Sequence, residues 1–273
     1  MDSSALPSRF SPIEISEPAL EHEHLRHLTL YSPALRGRGD VSLFLPPGLD
    51  PSRRIPLVLL LHGVYGSHWC WFYKGAAHRT ALDLIRDQRI RPMLIAAPSD
   101  GLRGDGTGYL PGPDQDFERW ICEDLVQCIE GLFAPAGADV LLAGLSMGGY
   151  GALRLGAKYP ERFCGISAHS AITMPAQFRE FVRDMSPFQA ADQHELDPLY
   201  WLDRHQSQLP PLHFDCGQDD ALLAGNEALH QELLRRGIQH NFEVFPGDHN
   251  WNYWREHVRD SLLFFERVLT EKE

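Results

Sequence analysis

Val140-Leu-Leu-Ala-Gly-Leu-Ser-Met-Gly-Gly-Tyr-Gly151 is the stretch on which the fold turns. Its first four residues form a continuous apolar run of the kind expected of a strand covered on both faces. From Gly148 to Tyr159 the spacing is helical, and Pro160 closes the segment. Between the two lies Gly144-Leu-Ser146-Met-Gly148, which fits G-x-S-x-G in the strand-turn-helix setting that a nucleophile elbow requires. A turn this sharp strains the backbone of Ser146 and projects its hydroxyl above the sheet. Side chains at 144 or 148 would collide with the neighbouring strand and helix. The plain alternative is a glycine-rich turn with an incidental serine; the buried strand on one side and the helix on the other favour the nucleophile.

Working outward, Leu57–Leu61, Met93–Ala97 and Phe163–Ala168 share the apolar character of Val140–Ala143 and are further inner strands. Helical spacing over Ala76–Arg89, Phe117–Phe133 and Gly148–Tyr159 separates them, which predicts right-handed crossovers and a mostly parallel sheet with helices on both faces. Leu25–Tyr31 and Val41–Leu45 alternate as two strands, with Arg36–Asp40 as the turn between them. Leu212–Cys216 and Asn241–Phe245 read as strands, Glu227–Arg236 as a helix stopped by Gly237, and Trp251–Leu269 as a closing helix. Met174–Pro211 loosens into short helical pieces with prolines. The expected organisation is a leader over 1–24 and one α/β domain over 25–273, with a lid-like insertion at about 174–211.

Composition narrows the function. The 273 residues, 43% hydrophobic and 23% charged, suit a folded globular chain. A net charge of −12 repels phosphate backbones and anionic head groups, which argues against nucleic-acid and membrane-surface partners. It also favours neutral substrates over strongly anionic ones. No apolar run approaches the roughly 18 residues of a membrane span. Cys70, Cys122, Cys128, Cys164 and Cys216 are odd in number and never form CxxC, so no disulfide framework is expected. Met1–Pro18 lacks a basic segment followed by an apolar run, and the chain reads as cytoplasmic.

A serine hydroxyl needs a base within hydrogen-bond reach and a carboxylate to orient that base. Asp215-Cys-Gly-Gln-Asp-Asp220 and Pro246-Gly-Asp-His249 each follow a predicted strand, so both lie at the sheet edge where Ser146 emerges. His249 is the candidate base among fourteen histidines. His22 and His24 lack a third metal ligand and read as surface residues; His169 could lie near the pocket but precedes any acid in the required order. For the acid, Asp219 and Asp220 are adjacent and either could be a turn residue; Asp215 belongs to its strand, and Asp248 points away from its neighbour His249. Leu61-His-Gly-Val-Tyr-Gly-Ser67 is the natural second wall of the site, with His62 a structural residue. Tyr65, Trp69, Tyr109 and Trp251 are the candidate pocket aromatics, while Trp120 and Trp254 are assigned to packing. Asp100–Gly108 is glycine-rich without phosphate-loop or dinucleotide spacing, and its aspartates lack EF-hand spacing for calcium.

Four segments together carry a resemblance: Leu60-Leu-His-Gly-Val-Tyr-Gly-Ser67, Gly144-Leu-Ser-Met-Gly-Gly-Tyr-Gly-Ala152, Cys216-Gly-Gln-Asp-Asp220 and Gly247-Asp-His-Asn-Trp251. From about Leu25 onward the chain resembles the esterase D and antigen 85 group of α/β hydrolases, which includes S-formylglutathione hydrolases and feruloyl, acetyl-xylan and tributyrin-type esterases. The resemblance implies the α/β-hydrolase fold. In that family the acid stands three places after the glycine of its loop, which lands on Asp220, and the histidine precedes an aromatic two residues on, as His249 precedes Trp251. The backbone N–H groups of Val64 and Met147 map onto the oxyanion donors. S-formylglutathione hydrolases carry a Ser-Gly-Leu-Thr-Cys style loop where this chain has His62-Gly-Val-Tyr65, and antigen 85 enzymes are secreted, so the general esterase branch fits better.

The resulting expectation is a serine carboxylesterase acting on small or aromatic esters through an acyl-enzyme. Its catalytic residues are Ser146, Asp220 and His249, and it uses no cofactor and no metal. The rival readings are an acyltransferase of the same fold, an S-formylglutathione hydrolase-like thioesterase, and a non-catalytic hydrolase-fold binding protein. Assembly into a homo-oligomer is left open.

Overall fold

The computed structural model describes residues 8–50, 52–133, 137–189 and 192–273. Nine strands form one sheet: β1 (Ile13–Ile15), β2 (Leu25–Ser32), β3 (Gly37–Phe44), β4 (Leu57–Leu61), β5 (Leu94–Pro98), β6 (Val140–Leu145), β7 (Gly165–His169), β8 (Leu212–Gly217) and β9 (Asn241–Phe245). Their spatial order is β1-β2-β3-β5-β4-β6-β7-β8-β9. The first three strands and the β3–β5 pair are antiparallel; all pairings from β5 through β9 are parallel.

The apolar runs behave as strands buried on both faces should. Leu57, Leu59 and Leu61 of β4 point into one core cluster and Val58 and Leu60 into the other. Helices α1 (Cys70–Tyr73), α2 (Ala77–Arg86) and α8 (Trp251–Lys272) cover the second face. The first is covered by α3 (Phe117–Arg119), a π-helical stretch over Trp120–Leu125, α4 (Val126–Phe133), α5 (Met147–Lys158), α6 (Pro198–Arg204) and α7 (Leu223–Arg236). Gly237 takes φ +71° and ends α7, as its position predicts.

Two expectations are revised. Gly37–Asp40 belongs to β3, with Leu30 paired to Gly39, and the turn lies just before it. Gly39 serves packing: a Cβ there would sit 2.7 Å from the Trp120 ring. The stretch read as a leader contains β1, which pairs with β2, and a buried Phe10. Short alternation of three residues gave too weak a signal against the prolines around it. The insertion at 174–211 packs on α5: Tyr150 donates to the Leu196 carbonyl at 2.7 Å, and Phe178 stacks on Phe188 and stands edge-on to Tyr150. The buried Arg154 and the half-buried Lys158 of α5 pair with Glu118, and both also reach Glu195 of the insertion.

Parallel strands bring the loops after β4, β6, β7, β8 and β9 to one edge of the sheet, the edge where open α/β sheets bind ligands.

Candidate active site

Ser146 sits between β6 and α5 with φ +54° and ψ −116°, a conformation that costs on the order of 1–3 kcal/mol and must be held by its surroundings. Two glycines permit it. A Cβ on Gly144 would lie 2.2 Å from the Gly148 carbonyl oxygen, and one on Gly148 would lie 2.1 Å from that of Leu61. The start of α5 therefore presses directly on the carboxyl end of β4. Backbone bonds complete the clamp, with Ser146 N–H donating to the His169 carbonyl at 2.9 Å and Ile172 N–H donating to that of Ser146 at 3.2 Å.

The loop after β9 brings His249 to this point. Its Nε2 is 3.0 Å from Ser146 Oγ, and its Nδ1 is 2.9 Å and 3.1 Å from the two carboxylate oxygens of Asp220. An ionised carboxylate can only accept, so Nδ1 carries the proton and Nε2 presents its lone pair to the serine hydroxyl. Burial alone would raise the Asp220 carboxyl. The His249 ring, the Ser170 hydroxyl and the Leu222 N–H nevertheless hold it below the ordinary carboxylate value. Asn250 caps α8 directly after His249, its side chain accepting from the N–H groups of Asn252 and Tyr253.

The other carboxylates are placed apart from this relay. Asp219 is exposed, and Asp248 accepts from the His249 N–H. Asp215 is buried within β8 and takes His169 Nδ1 and the Tyr253 hydroxyl, both at 2.7 Å.

His62 holds the second wall. Its Nε2 accepts from Asp100 N–H at 3.1 Å and its Nδ1 donates to the Gly63 carbonyl at 2.8 Å, which fixes a neutral, structural ring. Asp100 spends its carboxylate on Leu102 and Thr107. Among the described residues the Val64 N–H has no protein acceptor, and Met147 is the first residue of α5, where N–H groups lack an intrahelical acceptor.

Val64, Tyr65, Trp69, Ser146, His249 and Trp251 all line one cavity of about 350 Å³. Tyr109 does not. It is fully buried, and its hydroxyl donates to the His62 carbonyl at 3.0 Å, so it braces the loop from behind; burial also pushes its phenol well above the ordinary value. Trp120 packs as expected, donating to the Ser99 carbonyl. Trp254 does more than pack: it lines the cavity, stands edge-on to His249 at 5.0 Å and donates to Ser170 Oγ. Its spacing three residues after Trp251, on the first turn after His249, was the available signal.

Phe181 had no signal, because nothing in the insertion's sequence says which residue reaches the site. Its ring lies 5.6 Å from that of His249, and its carbonyl accepts from the Tyr65 hydroxyl at 2.6 Å. The ion pair of Arg183 with Asp105 makes a second tie between the insertion and the loops beside Tyr65. A larger hollow of about 470 Å³ around Pro210 and His240 has no part in this constellation.

The sequence profile of the family described as "Putative esterase" matches residues 32–265. The chain belongs to this esterase family. As an esterase it is 26% identical over 238 residues to the acetyl esterase of Caldicellulosiruptor saccharolyticus, covering 80% of this chain and 85% of that one. A ferulic acid esterase structure superimposes with TM-score 0.78 at 23% identity, over 94% of this esterase and 99% of the other chain. An S-formylglutathione hydrolase of Staphylococcus aureus superimposes with TM-score 0.71 at 21% identity, over 87% and 96%. The fold is that of the α/β hydrolases, and the chain is a member of an esterase family. Among the described residues no helix is long and apolar enough to cross a membrane.

Proposed function

We propose that Ser146 is the nucleophile of this esterase, His249 its general base and acid, and Asp220 the residue that orients His249 and stabilises its imidazolium. The observation that carries the proposal is the unbroken relay from Asp220 through His249 to Ser146 at the wall of a cavity. Ser146 Oγ attacks the ester carbonyl while His249 Nε2 takes its proton. The tetrahedral oxyanion is held by the N–H groups of Val64 and Met147. The C–O bond then breaks as His249 returns the proton to the departing alcohol, leaving an acyl-Ser146 ester. Water, deprotonated by the same nitrogen, releases the acid and restores the serine.

The aromatic walls and modest volume of the cavity suit a short acyl group or a single-ring acid. The acetyl and ferulic acid esterases among the similar proteins act on esters of these two kinds. Residues 174–211 would act as a cap that contributes Phe181 to this wall. The five free cysteines are consistent with a cytoplasmic setting. A fluorophosphonate probe should label wild-type enzyme on Ser146 and leave Ser146→Ala unlabelled; labelling elsewhere, or none, would overturn the assignment. Esters of graded acyl length set beside feruloyl and acetyl-sugar esters would rank the substrates.

A further inference from the structure

The chain has three lysines against a large excess of acidic residues. Lys158 is paired with Glu118 and Glu195, and Lys272 with Asp139. Lys74 has no carboxylate partner among the described residues, and it lines the cavity that holds Ser146 and His249. Its position is fixed from two elements. Its N–H bonds the Cys70 carbonyl at the end of α1, and its own carbonyl accepts from Arg255 of α8, at 2.9 Å from Nη2 and 3.2 Å from Nε. Arg255, also without a carboxylate partner among the described residues, is thus moored at the same residue.

The ammonium of Lys74 stands 5.4 Å from the centroid of the Trp251 ring. Trp251 stands edge-on to Trp254 at 5.2 Å, and Trp254 edge-on to His249 at 5.0 Å. Indole rings thus run from the base at the reacting centre to an unpaired cation. A substrate arm lying along them gains apolar and aromatic contact, and its far end meets Lys74. The net charge of −12 describes the whole surface, whereas the field at this end of the cavity is set by the groups facing it.

We propose that Lys74 is a specificity-determining residue for esters whose arm along Trp251 ends in an anionic group, a carboxylate in the first instance, with Arg255 adding to the positive field. The proposal rests on the esterase reading above and names its substrate class. It adds no chemical step, because the anion is bound and not transformed.

The test measures kcat/KM in wild type, Lys74→Gln and Lys74→Arg for two matched pairs: 4-acetoxybenzoate against p-tolyl acetate, and monomethyl terephthalate against methyl 4-methylbenzoate. The first pair places the anion on the alcohol arm and the second on the acyl arm. In at least one pair, Lys74→Gln should lower the anionic-to-neutral ratio about three- to tenfold relative to wild type. Lys74→Arg should keep the ratio, and 0.5 M salt should erode it in wild type. A ratio that Lys74→Gln leaves unchanged in both pairs overturns the proposal while leaving the esterase reading intact. If no ester is turned over, that reading fails by itself. Tryptophan-fluorescence titration still decides the present one: wild type should prefer 4-hydroxybenzoate over 4-hydroxybenzamide and Lys74→Gln should not, and equal affinities in wild type would overturn it.

Discussion

Among the described residues the molecule holds two serine–histidine–aspartate arrays that share a bonding pattern and differ in nearly everything around it. In one, Asp220 meets His249 Nδ1 at 2.9 Å and Ser146 meets Nε2 at 3.0 Å. In the other, Asp215 meets His169 Nδ1 at 2.7 Å and Ser261 meets Nε2 at 2.7 Å. His249 keeps 19% of its side chain exposed and faces a cavity; His169, Asp215 and Ser261 are fully buried. Ser146 has a strained backbone, and among the described residues the nearby Val64 N–H has no protein acceptor. Ser261 lies within α8, and its hydroxyl also bonds Ser167, whose oxygen meets His213 Nδ1. A relay of hydrogen bonds is therefore common to both arrays. What sets the first apart is that it opens onto a cavity; on the proposed reading that opening gives a carbonyl access and places donors for the charge that develops on it.

The largest expected effect breaks the pair at its serines. Ser146→Ala should lower kcat for p-nitrophenyl acetate by about 10⁶-fold with the fold intact, as loss of a triad nucleophile does. Ser261→Ala should leave kcat within about threefold and instead cost about 1–3 kcal/mol of stability, because it strips a partner from buried His169 and Ser167. Comparable activity losses in the two variants would show that the buried array takes part in turnover.

The aspartates sharpen the contrast. Asp220→Asn should reduce kcat about 10⁴-fold, since an amide facing Nδ1 disfavours the tautomer that leaves Nε2 free to accept. Asp215→Asn should act on stability. Burial by itself would raise the Asp215 carboxyl, but His169, His213 and Tyr253 hold it below its ordinary value. A carboxyl lower in the folded than in the unfolded state stabilises above the unfolded value, and the contribution is lost as pH falls through the folded one. The wild-type melting temperature should therefore drop steeply below about pH 4, where the unfolded carboxylate begins to take up protons. In Asp215→Asn that acid limb should be shallower. An unchanged slope would remove Asp215 from the acid sensitivity.

This contrast also marks what the sequence could tell. The elbow, the strand ends and the chain order of Ser146, Asp220 and His249 were legible because each depends on local pattern: an apolar run, a glycine pair, an acid and a histidine after consecutive strands. Asp219 and Asp220 could not be separated by position alone; only the direction each faces distinguishes them, and the family pattern supplied the choice. Tyr109 was misplaced because an aromatic in a loop near the site can brace the loop from behind as well as line its front. The buried array, Phe181 and the mooring of Lys74 by Arg255 depend on contacts between segments far apart in the chain, which no window of residues encodes. Gly37–Asp40 failed for the opposite reason: Gly39, which looks like part of a turn, leaves room for the Trp120 ring resting on the strand.

The smallest predicted effect asks whether the two arrays are independent. Ser170 lies between them, buried and at φ +47°. Its N–H donates to the Asp215 carbonyl at 2.8 Å, its hydroxyl accepts from Trp254 Nε1 at 3.2 Å, and the same hydroxyl helps hold Asp220 ionised. Ser170→Ala keeps the backbone tie to Asp215 and removes both side-chain contacts on the side of the proposed triad. A hydroxyl supporting a carboxylate that already has His249 and Leu222 as donors is one support among several. The variant should lose about three- to tenfold in kcat with KM little changed, because the reach from Asp220 to His249 matters to proton transfer more than to substrate contact. A rise in KM with kcat preserved would mean that Trp254, released from Ser170, shapes the cavity instead. No change in either constant would mean that each array stands alone and that Ser170 serves only the turn after β7.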